Sequence, residues 1–170
     1  MIRTLEIGGI VIPIQQDGGP EQTYEDLGGI FSGRTSGGIA YRQVHWLKIG
    51  TRITGNGWVP PGLAGLPRDT SVVLKCLSPR VIQSASNVIA VPAARRTGAD
   101  YAPTGFAVVA GEHVQTAINL VVNTATLTAV AGAQGYGVRY WPEITVLARY
   151  SESGRPRSAE WNWQIDAEEI

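Results

Sequence analysis

Two histidines and one cysteine are the scarcest reactive side chains of this sequence. A metal centre needs His, Cys or carboxylate ligands at short, repeated spacings such as His-x-x-x-His. His45 and His113 have neither that spacing nor a clustered carboxylate set. Glu112-His113 is the one sequential acid–base pair, and it falls at a loop edge. His45 sits in an apolar run on the face of Tyr41 and Leu47, which suits a partly buried histidine of the wall. Cys76, alone within Val72-Val73-Leu74-Lys75-Cys76-Leu77, reads as a buried thiol with no disulfide partner. No Gly-x-Ser-x-Gly elbow and no Gly-Lys-Ser/Thr phosphate cradle occurs, and Gly135-Tyr136-Gly137 is incomplete as a dinucleotide fingerprint. The expectation is a non-enzyme with no catalytic residue, no metal ligand and no cofactor.

The aromatic residues offer a second chemistry. Trp46, Trp58, Tyr101, Tyr136, Tyr140 and Trp141 could stack against the apolar faces of pyranose rings, although aromatics at strand spacing more often build a core. Arg95-Arg96, the only Arg-Arg pair, lies in the loop Pro92 to Pro103. The candidate subunit or glycan contacts are therefore Trp46, Trp58, Arg95, Arg96, Tyr101 and Trp141. Single-stranded nucleic acid would use the same stacking, but it also demands positive charge. Fourteen basic and fourteen acidic residues cancel here, so nucleic acid is not an expected ligand.

These side chains must be held by strands. At 170 residues the chain has material for one domain, or one with a sizeable insertion. Its 21 glycines fall mainly as GG, NG and SG punctuation, the pattern of many short strands. The N-terminus lacks the apolar core of a signal peptide, and no run approaches a membrane span, so synthesis and folding in a cytoplasm are expected.

Leu5–Ile7 and Ile10–Ile12 flank Gly8-Gly9 as a tight hairpin, followed by Pro13 and a polar loop over 15–22. Tyr24 to Phe31 is a weak strand interrupted by Gly28-Gly29, and 33–38 is a flexible connection. Ile39 to Ile53 alternates strongly: Ile39, Tyr41, Leu47 and Ile49 on one face, Arg42, Val44, Trp46 and Lys48 on the other. Apolar residues on both faces call for a partner layer or a neighbouring subunit on each side. Gly50 suggests a bend, and Asn56-Gly57 predicts a hairpin turn before Pro60-Pro61. Strands follow over 71–77, 81–82 and 88–91, while 111–122 fits either a strand or a short helix. Gly132 to Gly137 reads as a turn, and a hairpin with loop 151–158 closes the chain, carrying Trp161 and Trp163 on one face. The predicted fold class is all-β, an antiparallel β-barrel or sandwich of split-barrel type with at most one short helix.

Several runs resemble small tail proteins of tailed bacteriophages. They are Tyr24-Glu-Asp-Leu-Gly-Gly, Trp46-Leu-Lys-Ile, Ile53-Thr-Gly-Asn-Gly-Trp-Val-Pro-Pro-Gly-Leu-Ala-Gly-Leu and Val73-Leu-Lys-Cys-Leu-Ser-Pro-Arg, with Tyr140-Trp-Pro-Glu-Ile-Thr-Val-Leu and the ending Trp161-Asn-Trp-Gln-Ile-Asp-Ala-Glu-Glu. The nearest type is the distal tail or baseplate-hub protein. The resemblance implies a β-barrel domain from residues 1–80 and 136–170, with 81–135 as an inserted β-rich element. It implies a ring of three or six copies in the virion tail, joining the tail tube to the hub, receptor-binding protein or fibre. Nucleic acid would only pass through the lumen, and no membrane is involved. A tail-tube or tail-terminator subunit is the neighbouring reading, and a carbohydrate-binding β-sandwich module engaging a host glycan is the reading from another class.

Overall fold

A computed structural model describes residues 4–12 and 19–170. Its strands are β1 (Leu5–Ile7), β2 (Ile10–Ile12), β3 (Glu21–Arg34), β4 (Ala40–Gly57), β5 (Val72–Lys75), β6 (Arg80–Ser84) and β7 (Val88–Ala90). They continue as β8 (Thr104–Val109), β9 (Glu112–Thr116), β10 (Ile118–Val121), β11 (Thr124–Leu127), β12 (Ala133–Tyr140), β13 (Glu143–Arg155) and β14 (Glu160–Glu169). Single 3-10 turns occur at Leu63–Gly65 and Ala99–Tyr101. The protein is all-β, and its antiparallel sheets are sandwich-like and do not close into a barrel. Pro13 and the first part of the loop expected over 15–22 lie outside the described residues, and Glu21 and Gln22 already belong to β3.

The chain forms two compact units, one of Met1–Glu6 with Leu74–Ile144, the other of Ile7–Val73 with Thr145–Ile170. The breaks thus fall at 6/7, 73/74 and 144/145, where the sequence suggested 80/81 and 135/136. The reason is strand pairing. β12 is hydrogen-bonded to β6 on one side and β8 on the other, which ties it to the inserted strands.

The first unit is a small sandwich of a three-stranded sheet, β10-β11-β7, and a four-stranded sheet, β6-β12-β8-β9. Ile89, Ala125 and Leu127 from the first sheet meet Ala107, Tyr136, Val138 and Tyr140 from the second in one buried cluster. Alternation explains it: Ala125 and Leu127 point inward while Thr124 and Thr126 point out. Residues 112–116 and 118–121 are strands and not a helix, because β9 and β10 find ladder partners in β8 and β11. The turn between β10 and β11 places Val122 at φ 53°, a left-handed conformation that a β-branched residue rarely adopts. Gly132 to Gly137 is mostly strand, since Gly137 faces Phe106 and Gly135 faces Val108 across the ladder.

The second unit is built on the sheet β2-β1-β5-β13-β14-β4-β3, with the chain passing from one unit to the other within β1, β5 and β13. Gly8 and Gly9, at φ 56° and 82°, make the β1–β2 turn, a geometry that costs glycine nothing. Ile53, Val146, Trp163, Ile165 and Ala167 are buried on one face, while Arg52, Arg149, Asn162 and Glu168 alternate onto the exposed one. Asn56-Gly57 makes no hairpin turn. β4 runs straight through it, with Asn56 opposite Asn162 and Gly57 opposite Trp161, because β14 supplies a ladder that a local turn would forfeit. Gly50 introduces no register shift either; the bulge lies at His45.

Candidate functional site: a two-stranded arm

β4 is paired on both sides only over part of its length. Its ladder with β14 runs from Gly57 to Gly50, whereas its ladder with β3 continues to Ala40 opposite Arg34. The Glu169 carboxylate caps the end of the β14 ladder by accepting from the Ile49 backbone N–H at 2.9 Å, and Lys48 Nζ donates to the Ile170 carbonyl at 2.6 Å. Beyond this point Leu27–Arg34 and 40–48 form a two-stranded ribbon. Its tip is closed by Thr35, whose N–H donates to Ile39 O and whose Oγ1 accepts from Ile39 N, while Arg34 donates to Gly38 O.

The ladder is offset once in this arm. Gly29 faces Trp46 and Ile30 faces Val44, leaving His45 as the extra residue on β4. The bulge reverses the parity that plain alternation predicts. Residues opposite one another share a face, so Trp46, Phe31 and Tyr41 lie on one side with Leu27 and Lys48. Leu47, Ile30 and Val44 lie on the other with Arg42. Tyr41 and Val44 have thus exchanged the faces expected from sequence, and His45 is exposed and structural, a bulge residue in place of the partly buried one expected.

Both faces are bare. Trp46 is 53 % exposed, Phe31 52 %, Leu47 57 % and Val44 53 %. Glycines opposite the aromatic rings give them a place to lie: a Cβ on Gly29 would strike the Trp46 ring, and one on Gly33 the Tyr41 ring. Phe31 and Tyr41 rings pack at 5.8 Å between centroids. A two-stranded ribbon is marginal by itself in water, and this one also displays large apolar side chains on two sides. Its charge is one-sided too. From Leu27 to Arg68 the chain carries no acid, so the arm's charges are Arg34, Arg42 and Lys48, whereas its foot carries Glu21, Glu25, Asp26, Glu168 and Glu169.

The residues singled out from sequence do not gather in one place. Trp46 is on the arm and Trp58 follows β4, 52 % exposed. Trp141 is 1 % exposed and Arg96 6 %, so neither presents a surface to a sugar or a subunit. Arg96 is instead an internal clamp of the first unit. Its guanidinium donates to Thr4 O at 2.6 Å and Cys76 O at 3.1 Å, and lies 3.4 Å from the Tyr101 ring centre. Burial pushes the Tyr101 phenol up, but hydrogen bonding with Thr4 and the Arg96 charge outweigh it and lower its pKa. Arg95 spends its donors on Asn123 Oδ1 at 2.8 Å and Val122 O at 2.7 Å, holding the left-handed turn. The loop-tip reading of this arginine pair is therefore replaced by two buried or half-buried anchors.

His113 stacks on Phe106 at 4.3 Å, and Cys76 is buried, as its apolar run predicted. Among the described residues no group of three or more His, Cys, Asp or Glu side chains could hold a metal ion. No helix among them is long and apolar enough to cross a membrane. What sequence reasoning missed is the free-standing nature of β3 and β4 beyond Ile49, although the apolar residues on both faces were its trace. No protein-family model, curated protein or solved structure matches this chain.

Proposed function

We propose that this protein is a non-enzymatic structural subunit of a bacteriophage tail, a self-assembling ring component of the distal tail that links the tube to tip and receptor-binding parts. The observation that carries the reading is the arm: a ribbon with Trp46, Phe31 and Tyr41 exposed on one face and Leu47, Val44 and Ile30 on the other. Such a surface is costly in a monomer and useful only when neighbours cover it. The tail assignment itself rests on the resemblance of the quoted runs.

Native mass spectrometry of the purified chain, followed by reconstitution with tail-tube and hub proteins, tests it. A homo-oligomer that joins those partners is expected. A strict monomer that binds glycans would overturn the reading and favour the carbohydrate-binding one.

A further inference from the structure

We infer that the first unit carries a binding site for a carboxylate-bearing sugar residue, on the outer face of the sheet β6-β12-β8-β9. Strand parity assembles it. Across the β12–β8 ladder Gly137 stands opposite Phe106 and Arg139 opposite Thr104. On the other side of β8, Gln115 stands opposite Phe106 and His113 opposite Val108. Residues opposite one another share a face, as do alternate residues of one strand. Thr104, Phe106, His113, Gln115 and Arg139 therefore point away from the buried cluster that takes Ala107, Val138 and Tyr140. With Gly105 and Trp141 they line a cavity of about 280 Å³, close to the small end of the range for ligand sites. All these residues belong to the first unit, so the site stands whether or not neighbours cover the arm.

The floor is aromatic and held in place. Gly137 has no side chain, and the Phe106 ring lies in the space that a Cβ would occupy. His113 stacks on that ring at 4.3 Å between centroids. The paired rings offer an apolar surface to the C–H face of a sugar. Gln115 and Thr104 supply donors and acceptors for its hydroxyls.

Charge then selects the class of sugar. Among the described residues Arg139 makes no hydrogen bond or ion pair, and its ladder neighbours Val81 and Thr104 are uncharged. No carboxylate lines the cavity: Glu112 stands opposite Val109 and so points to the other face. An amine would find no counter-charge there. A nucleic-acid strand needs a track of cations, whereas Arg139 is the one fixed cation of this cavity. A phosphate monoester, with close to two charges near neutral pH, would leave one of them unbalanced. A single carboxylate matches a single guanidinium through two parallel hydrogen bonds.

Titration of the full chain with sodium glucuronate, followed through the ring-proton NMR signals of its two histidines, tests the site. The His113 signals should shift to saturation and those of His45 should stay. Glucose, which lacks the charge, and glucose 6-phosphate should each bind at least about tenfold more weakly. Arg139→Gln should weaken glucuronate binding about tenfold. Arg139 is exposed and unpaired, so the fold should be retained, and circular dichroism checks this. Gln115→Ala, which should also weaken binding, serves as the second variant. Binding undiminished by both substitutions, equal binding of glucose, or no shift at His113 overturns the site. Tighter binding of glucose 6-phosphate overturns the choice of a carboxylate.

Discussion

The ring of Trp163 lies flat against Gly55, its direct partner across the β14–β4 ladder, and a Cβ at Gly55 would run into it. The same relationship recurs for Trp161 with Gly154, Phe106 with Gly137, Trp46 with Gly29 and Tyr41 with Gly33, each an aromatic opposite its glycine. Glycine weakens a strand by its backbone freedom and its missing side chain. An aromatic laid across the gap restores the packing and pins the register.

The two residues of such a pair should therefore be energetically coupled. Trp163→Ala, at a site 7 % exposed, is expected to cost about 3–5 kcal/mol. Gly55→Ala should cost about 1–3 kcal/mol through overpacking. In the double variant the two losses should fall short of additive, because alanine at 55 no longer meets a ring. Urea unfolding midpoints of the four proteins check this; strict additivity would refute the coupling.

Trp46 makes the opposite case. It rests on Gly29 but is 53 % exposed, so Trp46→Ser should change monomer stability by less than about 1 kcal/mol. Comparison with Trp163→Ala by thermal unfolding separates an interface tryptophan from a core one.

Val122 stores backbone strain at φ 53°, and Arg95 holds its carbonyl at 2.7 Å. Val122→Asn, a residue tolerant of left-handed backbone, should stabilise the fold by about 1 kcal/mol. Differential scanning calorimetry should show the melting point rising by about 2–4 °C. Arg95→Ala should move it the other way.

Removing the Arg96 guanidinium would take a charged donor from the Cys76 carbonyl and from that of Thr4, which would keep only the longer hydrogen bond from the Tyr101 hydroxyl at 3.4 Å. Arg96→Met should destabilise by about 2–4 kcal/mol, and Arg96→Lys should not recover the loss, since an ammonium cannot reach several carbonyls while covering the Tyr101 face. Hydrogen exchange around Thr4 reports the release.

A hydrogen bond from Arg52 at 2.7 Å holds Asp166 below the usual carboxylate range against the opposing effect of burial, helped by Gln164 and the charges of Arg52 and Arg149. A carboxylate depressed in the folded state contributes stability above its unfolded pKa of about 3.9, lost as pH falls through the folded value. Asp166→Asn should thus lower stability slightly near neutrality, the pair being largely exposed, and leave it unchanged at the acid end, which flattens the acid limb of the profile. Urea titrations at successive pH values measure it, and an unchanged acid limb would remove Asp166 from the account.

Much of this protein was legible in its residues. Period-two alternation at Ile144 to Tyr150 and at Trp161 to Asp166, and Gly8-Gly9 between apolar runs, announced an all-β chain, because side-chain direction on a strand and positive φ at a tight turn are local properties. The buried Cys76 followed from its apolar run in the same way. Which backbones pair was settled only in three dimensions. Asn56-Gly57 carries every local signal of a turn, yet β14 supplies a partner and the strand continues. One bulge at His45 made Tyr41 and Val44 exchange faces, and no composition rule locates such a shift. Trp141 and Trp46 are equally exposable by type; packing buried the first, and the end of the β14 ladder at Gly50 left the second in the open. Strand character is written residue by residue, whereas ladder partners and their ends depend on segments a hundred residues apart, and they decided where the exposed arm begins.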